Sequence, residues 1–388
     1  MDGIVPRGGA GHGRLVVATF DRGPVRGRLH AVPDALAPAP RVSRLWWFAA
    51  PALALIVGVL VVVGAMPAPY VAFSPGRAQA VEPLIEVSAI EGGPEVEVDE
   101  ATENLLYTTV STRMEPSGIE VLLGVLDDEV QVEPSAPFLG TQTSDENRKL
   151  NLALMTDSQD KARKVALERL GFDVVSTPVG AFLEDVNPDY PAAEVLAPGM
   201  TVVEAGGEPV ETRDDLVAAI AARQPGDVLD LAVVPLGQRQ PIEVEAELGE
   251  RWDEPGTAAL GVTPVDRATF EFPVDIEIDT GQVGGPSAGL AFTLAILDRL
   301  TPGPLTGEEQ VGVTGTIELD GRVGPVGGVR HKIGAALREG ATVFLAPPDE
   351  YEEAVEAADG RLEVRSVATL DEALAALEDL GGEPLPEA

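Results

Sequence analysis

Residues 284–300 read GGPSAGLAFTLAILDRL, and residues 321–341 read GRVGPVGGVRHKIGAALREGA. In the first stretch Pro286 suits a helix start, and an apolar helix continues to about Leu300 with Ser287 at its opening. Free backbone N–H groups and the helix dipole at that end would stabilise negative charge developing on a substrate oxygen. The plainer alternative is that Ser287 only caps the helix. In the second stretch the pattern predicts a helix from about Val329 to Arg338, which puts Lys332 in its first turn. The dipole disfavours a cation there, and burial would lower the amine's pKa further. An amine that is partly neutral near physiological pH can act as a general base. The alternative is an ordinary solvated lysine. Against it, from residue 165 onward the chain has twelve arginines and this single lysine.

Composition removes many competing chemistries. The 388 residues include 64 acidic and 27 basic side chains, three histidines and no cysteine. With 45% hydrophobic residues the chain can bury enough apolar area to fold. Its formal net charge of −37 argues against nucleic acid as a partner. Without cysteine there are no disulfides, thiolate zinc sites or cysteine nucleophiles. His12 and His30 precede the apolar segment described next, which leaves His331 alone and excludes a multi-histidine metal centre there. A Ser-His-Asp triad would need His331, which adjoins Lys332 on a different helix face. Neither glycine-rich stretch has the phosphate-loop or dinucleotide-binding spacing, so no nucleotide and no cofactor is expected.

Residues 45–66, LWWFAAPALALIVGVLVVVGAM, carry no charge. As a helix they would span roughly 33 Å, enough to cross a bilayer core. The reading is a retained anchor rather than a cleaved signal peptide, since 44 residues precede it and Pro67 and Pro69 interrupt the candidate cleavage region. Seven arginines against three aspartates before the segment place residues 1–44, a disordered tail, in the cytoplasm. The remainder would stand outside as the extracytoplasmic part of a single-pass protein of the cell membrane. Trp46, Trp47 and Tyr70 would sit near the two membrane interfaces.

Between 67 and 165 lies a membrane-proximal region with few signals. Leu105–Val110 and Ile119–Leu126 look strand-like. Thr156 and Gln159 have capping-box spacing before a helix ending at Leu170. A compact module follows from Phe172 to Leu248, taken as domain 166–250. Its order is a strand from Gly180, a helical turn at Pro191, strands near Met200–Val203 and Pro209–Val210, a helix over Thr212–Arg223 and a hairpin, 228–235 with 241–248. Leu216, Val217 and Ile220 should face inward.

This order, with NPDYPAAEVLAPGMTVVEAGGEPVETRDDLVAAI, resembles a bacterial PDZ domain. The resemblance implies that a peptide C-terminus adds as a strand at Val179, Gly180, Ala181 and Phe182. The stretch departs there from the family's usual Gly-Leu-Gly-Phe loop. A domain that only packs is the alternative.

GGPSAG followed by an apolar helix, then TGTIELDGRVGPVGGVRHKIGAALREGA, closely resembles the proteolytic domain of the Lon family, over 251–388. The resemblance implies Ser287 as nucleophile and Lys332 as general base, 45 residues apart. It also implies Thr314 and Asp279 in support, and the backbone N–H groups of Ser287 and Ala288 as oxyanion donors. The whole arrangement resembles membrane-anchored, PDZ-containing Lon-like proteases. The expected fold is therefore α+β, with a transmembrane helix, a PDZ-like domain and a Lon-type domain of the ribosomal-protein-like α+β kind. The expected function is ATP-independent cleavage of unfolded or C-terminally exposed polypeptides, in a homo-oligomeric ring tethered to the lipid bilayer by 45–66. The competing class is a non-catalytic scaffold whose Lon-like domain only oligomerises.

Overall fold

The computed structural model describes residues 46–90, 93–94, 96–140 and 142–386. The basic tail expected over 1–44 lies outside them, as do the side chains of Trp46 and Trp47. Helix α1 covers Trp46–Ala65. No helix among the described residues is long and apolar enough to cross a membrane. The described side chains of α1 run unbroken over 51–65. Within that run the side chains from Leu53 to Val63 are exposed and apolar.

Val59–Ala388 forms one compact unit. In chain order it contains strand β1 (Tyr70–Ala80), strand β2 (Leu105–Met114), helix α2 (Gly118–Val125), strand β3 (Gln131–Pro134) and helix α3 (Ser144–Arg169). An inserted module follows: β4 (Val175–Val186), β5 (Thr201–Ala205), helix α4 (Arg213–Ala221), β6 (Val228–Val234), β7 (Ile242–Glu247) and β8 (Val262–Glu271). The chain then gives helix α5 (Gly289–Leu300), β9 (Val311–Val313), helix α6 (Val329–Glu339), β10 (Val343–Ala346), helix α7 (Tyr351–Ala358), β11 (Glu363–Ser366) and helix α8 (Leu370–Asp379).

The mixed α+β expectation holds, but the domain borders do not follow the packing. One six-stranded sheet runs β11-β10-β9-β2-β1-β3, and β9 pairs parallel with both β2 and β10. The 67–165 region therefore supplies half of the sheet it shares with the 251–388 part rather than forming a separate membrane-proximal piece. The period of two along these strands divides the core. Leu105, Tyr107, Val343 and Leu345 face α3, α5 and α8, whereas Leu106, Phe344 and Ala346 face α6 and α7. Gly312 on β9 admits the Phe344 ring, which would stand 2.5 Å from any Cβ there.

The inserted module has its own core, with Leu183, Val202, Leu216, Leu229, Leu231 and Leu248 fully buried. Its sheet runs β8-β4-β5-β6-β7, so it closes with a strand beyond the expected border at residue 250. Val217 faces out rather than in, at 50% exposure.

Two local expectations also fail. Ile119–Leu126 is helical, because Ser117 and Glu120 form a reciprocal capping box before it. Helix α3 begins at Ser144, capped by Thr143 and Glu146, so Thr156 lies in mid-helix and its hydroxyl bonds back to the Leu152 carbonyl.

Candidate active site

The loop before α5 is fastened from two directions. From α3, Ser158 Oγ donates to the Pro286 carbonyl at 3.0 Å, and the Asn151 carbonyl accepts Gly285 N–H at 2.7 Å. From the turn after β9, Gly315 N–H donates to the Ser287 carbonyl at 3.0 Å, and the Gly315 carbonyl accepts Leu290 N–H at 3.1 Å. Gly289 permits this approach, since a Cβ there would stand 2.9 Å from Ile317 N and from Ser158 Oγ. Ala288, not Ser287, is the cap residue of α5, and no side chain caps that end. The Ser287 hydroxyl is thus free for another partner. Among the described residues, the N–H groups of Ser287 and Ala288 donate to no backbone acceptor.

The partner of Ser287 comes from α6. Gly328, with φ of +69°, turns the chain into that helix, and Lys332 N–H closes the first turn on the Gly328 carbonyl at 3.2 Å. Lys332 is 2% exposed. Its Nζ lies 2.7 Å from Ser287 Oγ and 2.8 Å from Thr314 Oγ1. Burial lowers the amine from its ordinary value to about 7, against the opposing pull of the Glu350 carboxylate. Thr314, fully buried, donates in turn to the Ser287 carbonyl at 3.2 Å.

The structure thus brings Ser287, Lys332 and Thr314 together and leaves Asp279 apart. Asp279 is exposed, and its carboxylate accepts Gly281 N–H at 2.9 Å in a local turn. Its expected supporting role therefore lacks a contact with the pair. His331 is buried with Nε2 unpartnered among the described residues, and burial holds its pKa below the ordinary value. Three further residues shape the site. Asn151 and Ser158 hold the serine loop, and Glu350 Oε1 accepts Val326 N–H at 3.1 Å, fastening the loop before α6. None is legible as a site residue from the sequence, because each acts across a long separation (128 residues for Ser158 and Pro286).

Ser287 and Lys332 open on a cleft of about 710 Å³. Tyr107, Val110 and Met114 of β2, Leu152 and Met155 of α3, and Phe138 give it apolar walls, interrupted by polar groups from Thr112, Asp145, Asn147 and Arg148. Its floor is the 282–288 loop. No group of three histidine, aspartate or glutamate side chains among the described residues forms a metal site.

The expected peptide-binding stretch is not an open edge. Val179, Gly180, Ala181 and Phe182 lie inside β4, where Ala181 pairs with Asp266 of β8 on one side and Val202 of β5 on the other. The β4 edge that would receive a peptide strand is filled along its length by β8, from Val262 opposite Val186 to Glu271 opposite Val175. Asp266 also accepts Arg213 N–H at 2.7 Å, at the start of α4. The Arg267 guanidinium covers the Phe182 ring at 5.1 Å. The main-chain groups needed for strand addition are already paired, so the edge cannot take a peptide there.

Sequence comparison finds relatives for the C-terminal part. Residues 223–378 match the family of the Lon protease (S16) C-terminal proteolytic domain, which supports a Lon-like, serine-protease type of domain. Relatives include Lon protease of Chloroflexus aggregans, 31% identical over 162 residues, covering 38% of this chain and 19% of the relative. Lon protease of Azospirillum brasilense is 31% identical over 179 residues, 45% of this chain and 21% of that one. The chain therefore spans about a fifth of the length of the curated relatives it matches. Among solved structures, the PDZ domain of an SdrC-like protein from Listeria monocytogenes aligns at 24% identity, covering 23% of this chain and 90% of that one, with a TM-score of 0.21.

Proposed function

We propose that the protein is a serine endopeptidase that cleaves unfolded or end-exposed polypeptides without nucleotide. The observation that carries this reading is the 2.7 Å approach of Lys332 Nζ to Ser287 Oγ, with the amine buried and held at about 7. Uncharged Nζ accepts the Ser287 hydroxyl proton as Oγ attacks a peptide carbonyl. The N–H groups of Ser287 and Ala288 receive the oxyanion. The lysinium then gives its proton to the leaving amine, the C–N bond breaks, and the acyl group rests on Oγ as an ester. Water, deprotonated by the same amine, attacks the ester, releases the acid and returns the proton to Ser287.

The apolar walls of the cleft suit side chains that a folded substrate would bury, and the chain carries no phosphate-binding loop to power unfolding. To the same proposal belong anchorage by residues 45–66, a cytoplasmic N-terminus, a catalytic part outside the cytoplasm and assembly into a homo-oligomeric ring. The uncharged 45–66 segment and its seven preceding arginines support the topology.

The test is cleavage of an unfolded, fluorescently labelled polypeptide by the full chain in detergent with no nucleotide. Wild type should cut, and Ser287→Ala and Lys332→Ala should each lose at least about a thousandfold. Equal rates in wild type and Lys332→Ala would remove the proposed base. No cutting by any form would leave the scaffold reading in its place.

A further inference from the structure

Helix α2 carries an apolar face that the fold leaves uncovered. Leu122 and Leu123 are 62% and 60% exposed, and Ile119, Val125 and Leu126 are exposed beside them. The helix rests on β3 through Gly124, where a Cβ would stand 2.9 Å from Val132 Cγ2, so the glycine side packs and the leucine side looks outward. Its cap is complete, with Ser117 and Glu120 bonded reciprocally, so α2 is a finished helix and not a frayed loop.

The start of α2 is fixed against the end of α1. Ala68 N–H donates to the Pro116 carbonyl at 2.9 Å, Gly118 N–H donates to the Met66 carbonyl at 3.1 Å, and Pro67 bridges to Ser117. Ile119 packs on Gly64, with Cγ1 2.8 Å from the place of a Cβ. The exposed apolar surface of Leu60 to Val63 and Met66 therefore continues into that of α2.

We propose that α2 seats its leucine face in the headgroup and acyl-chain boundary of a phospholipid bilayer, at the end of the segment that anchors the chain. This rests on the anchor reading given under Proposed function. A membrane surface suits the face better than a second copy. Eight residues make a helix roughly 12 Å long. With a width of about 10 Å, one face offers on the order of 100 Å², far short of the ~800 Å² per partner that a stable protein interface buries. Asp127 and Asp128 after the helix are exposed, with Glu129 paired to Arg338, and they repel anionic headgroups, so the surface is one of zwitterionic lipid held by apolar contact. Met114, on the wall of the Ser287 cleft, lies three residues before Ser117, so a seated α2 fixes that wall beside the membrane.

Because the chain has no cysteine, single nitroxide labels can be placed without background. The full chain is reconstituted in phosphatidylcholine vesicles with a label at Leu122→Cys or Leu123→Cys. Leu60→Cys reports on the anchor and Val217→Cys on an exposed helix of the inserted module. Collision with oxygen, which concentrates in lipid, is compared with collision with a water-soluble nickel chelate. The expected result is an oxygen-to-nickel ratio at Leu122 and Leu123 several-fold above that at Val217, approaching that at Leu60. A water-like ratio at Leu122 and Leu123 with a lipid-like one at Leu60 overturns the seating of α2 and leaves the anchor standing. A water-like ratio at Leu60 as well overturns the anchor and this inference with it. Dipolar broadening at Leu122 that vanishes on dilution with unlabelled chain assigns the face to a second copy and also overturns the inference.

Discussion

Thr314 Oγ1 stands 2.8 Å from Lys332 Nζ, and its one hydroxyl hydrogen is committed to the Ser287 carbonyl at 3.2 Å. The threonine can therefore only accept from the amine. One Nζ–H is drawn towards Thr314, and the nitrogen lone pair is left for the Ser287 hydroxyl. A buried, uncharged lysine without this partner would have no fixed direction for its lone pair. Thr314→Val keeps the volume and removes the acceptor. It should lower kcat by about 10- to 100-fold with little change in KM, as expected when the alignment of a general base is lost. Thr314→Ser should recover most of the rate. Wild-type kcat in the valine variant would show that the amine needs no such guide.

The Lys332 pKa of about 7 sets the pH response. Only the neutral amine accepts a proton, so kcat/KM should rise about tenfold per pH unit below that value and level off above it. Stability carries the same sign. The folded pKa lies below the unfolded one, so between about 7 and 10.5 the unfolded chain binds more protons, and stability rises with pH across that window. Lys332→Met removes this cost. Its melting temperature should exceed that of wild type most at pH 7 and below, and the difference should shrink as the pH approaches 10. Thermal melts from pH 6 to 10 check this, and a gap that widens with pH would contradict the buried amine.

Glu350 acts on the same titration from the other direction. Its carboxylate favours the charged form of Lys332, while Oε1 fastens Val326 in the loop before α6 and Oε2 is buried without a partner among the described residues. Glu350→Gln keeps a carbonyl oxygen for Val326 N–H and removes the charge. Without that charge the Lys332 pKa falls further, so the acidic limb of kcat/KM should move to lower pH while the plateau changes little. A limb that stays in place would mean the carboxylate is already neutral where the enzyme works. Burial pushes the pKa of Glu350 up and so works towards that outcome.

What the sequence displays best is what is local. Gly328 and Gly340 bracket α6 with left-handed backbone, and the helix they enclose is legible with Lys332 in its first turn. The capping pair Ser117 and Glu120 is equally present, yet the apolar run Val121–Leu126 beside Ile119 reads as a strand when burial is assumed, and here its large side chains are mostly exposed. The polar first half of α3 hid its start, while Thr156 and Gln159 imitate a cap inside the helix. Long-range pairing leaves no local mark at all. Leu105 meets Val311 across 206 positions, so the membership of β1 and β2 in the sheet of the C-terminal part is invisible until the chain is folded. The Ser287–Lys332 pair was legible because each residue sits in a glycine-rich motif of its own, not because their contact can be seen in the chain.

The filled edge of β4 yields the last expectation. Strand β8 occupies the place a peptide would take beside β4, and it leads within sixteen residues to Ser287. The amides of 180–183 should exchange with deuterium as slowly as those of Leu105–Tyr107, with no peptide added. Asp266→Ala, which frees Arg213 N–H at the start of α4, should cost about 0.5–1 kcal/mol and raise exchange in α4 and β8 before it does so in β6. Added C-terminal peptides should leave the wild-type exchange pattern unchanged. Fast exchange over 180–183 that slows on adding peptide would mean that β8 peels away, and the inserted module would then be a receptor whose own linker competes with its ligand. In that event the strand leading to the nucleophile would be released by ligand binding, and cleavage rates should respond to the same peptide.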